Sequence, residues 1–149
     1  MKIIINDSDN FILFFNKLND ISLDNEDDYK NIFLKLKHFY NIDIYGFYNI
    51  NVFIDNNYGY ILKIKKEDDL DLYYKQIDMH ISVEKINILY KVNDFFFINN
   101  LDKFNIYFYD DFFYLEIIDE ISDKEYNYLL ENSEIIYENI NIFNNKIIK

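Results

Sequence analysis

Between Ile42 and Ile64 the chain alternates with period two, and that pattern excludes most ways of folding it. Ile42, Ile44, Gly46, Tyr48, Ile50, Val52 and Ile54 fall on one side of an extended backbone, and Asp43, Tyr45, Asn49 and Asn51 fall on the other. Successive side chains of a strand point to opposite faces, so the alternation predicts one long, half-buried strand. Asp55-Asn56-Asn57-Tyr58-Gly59 supplies turn chemistry, after which Tyr60, Leu62 and Ile64 resume the alternation. The segment reads as a β-hairpin with Gly59 or Asn57 at the φ > 0 position. Ile77, Met79, Ile81 and Val83 mark a further strand.

An internal repeat extends the β pattern. Leu89-Tyr90-Lys91-Val92-Asn93-Asp94-Phe95-Phe96-Phe97-Ile98 returns as Ile106-Tyr107-Phe108-Tyr109-Asp110-Asp111-Phe112-Phe113-Tyr114-Leu115. Each copy is an apolar strand, an Asx-Asp pair and an aromatic strand. Asn and Asp tolerate the left-handed conformation of a tight turn, so two consecutive hairpins and a four-stranded meander are expected.

Helical periodicity occurs in three places. Ser8 to Asn19 has Phe11, Phe14, Phe15 and Leu18 at i, i+3, i+4, i+7, with Ser8 as N-cap. Glu26 to Tyr40 has acids in its first turn, Lys35 and Lys37 late, and a Tyr29, Ile32, Phe33, Leu36, Tyr40 stripe that Asn41 can end. Ser122-Asp123-Lys124-Glu125 is a capping box that opens a helix with Tyr126, Leu129 and Leu130 on one face. The stretch from Ile135 to Lys149 alternates loosely and adds one or two edge strands. The sum predicts one α+β domain over residues 1–149. Its antiparallel meander sheet has about six to eight strands, with two N-terminal helices and one C-terminal helix on one face.

Composition then narrows function. The chain of 149 residues holds 15 Phe and 15 Tyr, enough aromatic surface for a packed core. It has no Ala, Arg, Thr, Pro, Cys or Trp and is dominated by residues with AT-rich codons, so an Asn or Tyr carries less functional information than usual. Net charge is −12, with lysine as the only cation. Direct nucleic-acid binding is not expected, because no excess of cations exists to displace phosphate counterions and no guanidinium fork exists to read bases. An anionic membrane surface is disfavoured by the same sign. A protein partner with a basic surface is the electrostatically favoured alternative. No cysteine means no disulfide, thiolate nucleophile or Cys-ligated metal. With no long apolar run and no signal segment, a cytoplasmic location is expected.

Reaction motifs are missing. Two isolated glycines, Gly46 and Gly59, cannot build a phosphate loop, and GxSxG, HExxH and EF-hand patterns are absent. His38 and His80 are the two imidazoles. Gln76, Asp78, His80 and Ser82 share one strand face, where Asp78 could orient the His80 imidazole or complete half of a metal site. Period-two patterning explains every one of these residues as the solvated face opposite Ile77, Met79 and Ile81. Glu67-Asp68-Asp69-Leu70-Asp71 gathers carboxylates but lacks the glycine and distal bidentate Glu of a calcium loop. No cofactor is expected. The strongest binding candidate is the aromatic density at Phe95, Phe96 and Phe97 and at Phe112, Phe113 and Tyr114. Either both faces of the sheet are covered, or one presents these rings to a partner.

The stretch from Tyr40-Asn41-Ile42-Asp43-Ile44-Tyr45-Gly46-Phe47 through Asn57-Tyr58-Gly59 to Lys66-Glu67-Asp68 resembles small uncharacterised proteins of AT-rich Gram-positive bacteria, a likeness that implies no activity. Residues 106–130, an aromatic hairpin followed by Ser122-Asp123-Lys124-Glu125 and Leu129-Leu130, are similar to the C-terminal domain of MecA-type adaptors. That likeness implies an acidic adaptor that hands substrates to a Clp-family unfoldase. Leu130-Glu131-Asn132-Ser133 stands where that domain would carry Glu-Tyr-Gly. The reading that follows is a non-catalytic protein-binding module of adaptor or regulatory type. An acidic, nucleic-acid-mimicking inhibitor of a basic groove and a small metal-dependent enzyme using Asp78 and His80 are the alternatives.

Overall fold

The structure, a computed structural model, describes residues 1–7, 9–17, 21–41, 46–67, 80–139 and 146–147. It is α+β, but its strands form two five-stranded sheets instead of one meander. The chain divides into two compact units, residues 1–52 with 60–85, and residues 53–59 with 86–149.

In the first unit β1 (Lys2–Ile5) pairs antiparallel with β2 (Asn10–Asn16). The segment expected as a first helix is therefore a strand over its described part. A short apolar run such as Phe11–Phe15 fits either period, and Phe and Ile favour a pleated, buried surface. Here β1 supplies the partner that decides the matter. The turn between them is closed by Asp7, whose carboxylate accepts from the backbone N–H groups of Asp9 and Asn10, both at 2.8 Å.

Helix α1 (Glu26–Tyr40) lies where its stripe and charges put it. Asn25 and Asp28 form a reciprocal capping box, and Asn41 ends the helix in the left-handed region at φ 55°. Tyr29, Ile32, Phe33 and Leu36 are buried, while Tyr40 is exposed. Phe33 sits between Phe11 of β2 (6.0 Å) and Tyr48 of the following strand (4.7 Å), which places α1 over one face of the first sheet.

The long alternation becomes β3 (Phe47–Asp55), followed by β4 (Gly59–Lys66). Tyr48, Ile50 and Val52 are buried and Asn49 is exposed, as period two requires. In the turn, Asp55 Oδ1 accepts from the N–H groups of Asn57 and Tyr58 at 2.7 and 2.6 Å. Gly59 takes the positive φ of 115°, a position open to glycine at no steric cost. Strand β5 (His80–Asn87) completes the order β1-β2-β4-β3-β5. The His80 N–H donates to Gly46 O and the Ile88 N–H to Ile54 O. Residue numbers rise together along the two strands, so β5 runs parallel to β3. A meander has no place for such a pair, because parallel neighbours need a crossover connection.

The second unit holds β6 (Leu89–Val92), β7 (Phe104–Tyr109), β8 (Phe112–Ile117), β9 (Glu134–Ile136) and β10 (Lys146–Ile147) in the order β10-β7-β8-β6-β9. All four neighbouring pairs are antiparallel, and β9 and β10 take the edges, where the loose alternation from Ile135 onward predicts terminal strands. The second repeat copy is a hairpin whose turn residues Asp110 and Asp111 both have positive φ, 50° and 65°. That pair of signs is the primed turn that matches strand twist. The first copy forms β6 only, and Phe95–Ile98 is a turn instead of a strand. Both sides of β6 are already occupied, by β8 and β9, so its own continuation has no edge to pair with.

Helix α2 (Asp123–Asn132) starts at the Ser122/Glu125 capping box and presents Tyr126 edge-on to Tyr90 of β6 at 6.1 Å. It covers the sheet face that carries Tyr90, Val92, Ile106 and Leu115, all buried. The opposite face is buried as well. Leu89, Tyr107 and Tyr114 form a core cluster with Phe112 and Ile136 packed against it. On that face Glu116 is buried and accepts from Tyr107 OH (2.7 Å), Asn87 Nδ2 (2.6 Å) and Asn105 Nδ2 (3.0 Å).

Candidate interaction surface

The six aromatic residues singled out in the repeats separate into core and surface. Tyr114, 5% exposed, belongs to the core cluster, and Phe112 is half-buried against it with the Lys91 ammonium 3.9 Å above its ring. Burial raises the Tyr114 hydroxyl above its ordinary pKa, and the carboxylate of Asp110 adds to the effect. Phe113 points to the other face, opposite Phe108 in the β7–β8 register. Three consecutive strand aromatics thus divide between the faces, as the pleat demands.

Phe95, Phe96 and Phe97 leave the sheet in a turn. Asp94 Oδ1 accepts from the Phe96 N–H at 3.2 Å, and the Ile98 N–H donates to Phe95 O at 3.1 Å. This turn projects Phe96 into solvent at 87% exposure, the highest among the exposed large hydrophobic residues. Phe97 turns the other way, onto Tyr128 of α2 at 5.8 Å. Phe95 links surface to sheet: its ring lies 5.7 Å from Phe96 and 5.1 Å, edge-on, from Phe113, which is 5.0 Å from Phe108. Phe96, Phe95, Phe113 and Phe108 are therefore one continuous aromatic ledge. Phe108 is 42% exposed and Tyr109 44%. Asp94, Asp110 and Asp111, all exposed, rim it with carboxylates.

This arrangement can bury rings against an apolar partner while the acids meet basic groups around it. Asp94 is engaged in its turn, and Tyr107, Tyr90 and Tyr126 of the same unit are core phenols. Burial, with the Glu116 carboxylate beside it, pushes the Tyr107 hydroxyl up to about 12. Burial and the charge of Asp55, to which its hydroxyl donates, push Tyr90 higher still. Tyr126, whose hydroxyl lies 3.2 Å from that of Tyr90, is raised by burial to about 12.

The polar strand face is placed only in part. Gln76 and Asp78 lie outside the described residues. His80 is exposed and stacks on Phe47 at 4.8 Å with the rings 15° apart. Ser82 lines a groove of about 610 Å³ together with Asn49, Asn51, Lys63, Lys65 and Glu84. Of the acidic run 67–71, only Glu67 is described, and its carboxylate accepts from the Asn49 side chain. Among the described residues no group of three or more His, Asp and Glu is placed to hold a metal ion. His38, in the last turn of α1, packs edge-on against Phe39.

Two features escaped the sequence reading. The groove across the first sheet collects residues from β2, β3, β4 and β5, and strand order, which no local pattern encodes, brings them together. The Asn25/Asp28 capping box did have a local signal, an Asx residue three positions before an acid at the start of an apolar stripe.

Fold and surface together define an α+β protein with an aromatic, acid-rimmed surface ledge. No protein-family model, curated protein or solved structure matches the chain. No helix among the described residues is long and apolar enough to cross a membrane.

Proposed function

We propose that the protein is a non-catalytic binding module of adaptor or regulatory type. It docks through the Phe96 ledge onto a protein partner that offers an apolar pocket with a basic rim. The observation that carries this reading is the ordered presentation of Phe96, nearly fully exposed on a turn fixed by Asp94 and backed by Phe95 and Phe113. An exposed ring held by such a framework loses little conformational freedom on binding, which is what suits an aromatic anchor to an interface. The rim of Asp94, Asp110 and Asp111, with the chain's net charge of −12, favours a basic surround on the partner.

Fully burying a phenylalanine side chain stabilises by about 1.5–3 kcal/mol, which corresponds to roughly ten- to a hundredfold in affinity. A pull-down from host lysate with the natural chain and with Phe96→Ala tests the reading. It expects a stoichiometric partner with the first and loss of that partner with the second. The net charge also favours a second reading, an acidic inhibitor seated in a basic nucleic-acid groove. Capture at low and at high salt separates the two, because groove binding should fall steeply with salt while ring burial persists.

A further inference from the structure

Strand β5 is an edge of the first sheet, and among the described residues no strand pairs with its outer side. Its bonding groups can be assigned from its pairing with β3. The N–H groups of His80 and Ile88 are directed at β3, so those of the alternate residues Ser82, Glu84 and Ile86 share that direction. The N–H and C=O groups of Ile81, Val83 and Lys85 are left pointing outward.

The same three residues present their side chains to one place. Ile81, Val83 and Lys85 line a groove of about 340 Å³ with Leu23, Tyr29 and the N-terminal turn of α1. Val83 is 39% exposed, although it is an apolar residue in an eight-residue strand. A row of outward backbone groups that no described strand pairs, beside a groove between an edge strand and a helix, is the geometry of strand addition. Main-chain bonds supply affinity there, and alternate side chains enter the groove.

Charge decides the occupant. Asp24 and Glu26 rim the groove, and Asp27 and Asp28 follow in the same helical turn, against Lys85 as the one cation among its lining residues. A second copy of this chain would bring a further −12. We propose that the outer edge of β5 is a docking site for an extended segment of a different protein. That segment adds as a strand, seats alternate apolar side chains against Ile81, Val83 and Tyr29, and carries lysine or arginine toward Asp24 and Glu26. This surface belongs to the first unit and is independent of the aromatic ledge, so either can fail without the other.

A competing account is that Glu84 and Lys85 merely guard the edge against unwanted pairing. The probe that separates the two is a synthetic peptide of alternating Lys and Val, eight residues long to match β5. A control peptide carries N-methyl groups on alternate residues of its bonding edge, with charge unchanged. The full chain should bind the first peptide and bind the control at least about tenfold more weakly. Val83→Pro removes the central outward N–H without touching the β3 ladder and is tolerated on an edge. It should weaken the unmodified peptide at least about tenfold. In the natural chain, the amide resonances of Ile81, Val83 and Lys85 should shift on titration more than those of His80, Ser82 and Glu84, a readout that does not depend on the variant folding. Equal binding of both peptides, uniform amide shifts, or a β5-edge dimer of the chain without peptide would overturn the proposal.

Discussion

Residues 89–98 and 106–115 carry nearly the same pattern, and their aromatic residues meet opposite fates. The second copy closes a hairpin over Asp110-Asp111 and buries Tyr114 and Leu115. The first copy stops at Val92, turns, and sends Phe96 into solvent. Turn chemistry is available in both, since Asn93-Asp94 tolerates the left-handed region as well as Asp110-Asp111 does. The difference lies in the neighbours. β6 has β8 on one side and β9 on the other, so its continuation cannot fold back, whereas β7 and β8 pair with each other. A hairpin motif thus specifies a turn, and the sheet around it decides whether a strand can follow.

Substitutions can break this contrast in order of size. Tyr114→Ala should destabilise the protein by about 3–5 kcal/mol, because a large aromatic leaves a closely packed cluster. Urea denaturation measures it, and a loss below about 1 kcal/mol would remove Tyr114 from the core.

Raising pH sharpens the same point. Tyr107 is held near 12 in the folded chain against 10.0 ordinarily. The folded state keeps that proton more tightly, so its stabilisation is complete below pH 10 and is lost as pH climbs through about 12. Tyr90 and Tyr126 shift in the same direction and add to the loss. Alkaline titration should therefore unfold the protein above pH 10, and Tyr107→Phe should flatten part of that slope.

The turns themselves differ by less. Asp111→Val places a β-branched residue at φ 65° and should cost about 1–2 kcal/mol. Asp94→Val in the first copy meets no positive φ and removes only the exposed hydrogen bond to the Phe96 N–H, so it should cost less, about 0.5 kcal/mol. Lys91, above the Phe112 ring, ties the first copy's strand to the second's. Lys91→Gln should cost about 0.5–1 kcal/mol by the same denaturation experiment.

What was legible in the sequence follows the reach of each signal. Helix α1, its left-handed Asn41, the Ser122/Glu125 box and the Asp110-Asp111 turn depend on residues within a few positions of one another, and all four appear where expected. Strand β2 departs from the expected helix because Phe11–Phe15 satisfies both periods, and the pairing with β1 resolves it. The division into two sheets and the parallel β5 depend on pairings between distant segments. The candidate surface follows the same rule. The aromatic residues were visible as a group, but which of them face outward depends on what flanks β6. Phe96 could not be told from Phe113 on local pattern alone.

The contrast predicts that Phe96, alone among the repeat aromatics, can be removed without a stability cost and yet at a functional one. Thermal or urea denaturation of Phe96→Ala, run beside capture of its partner from lysate, reads both at once. The account predicts stability within about 0.5 kcal/mol of the natural chain together with loss of the captured protein at low and high salt. Undiminished capture by Phe96→Ala, or a core-sized loss of stability, would contradict it.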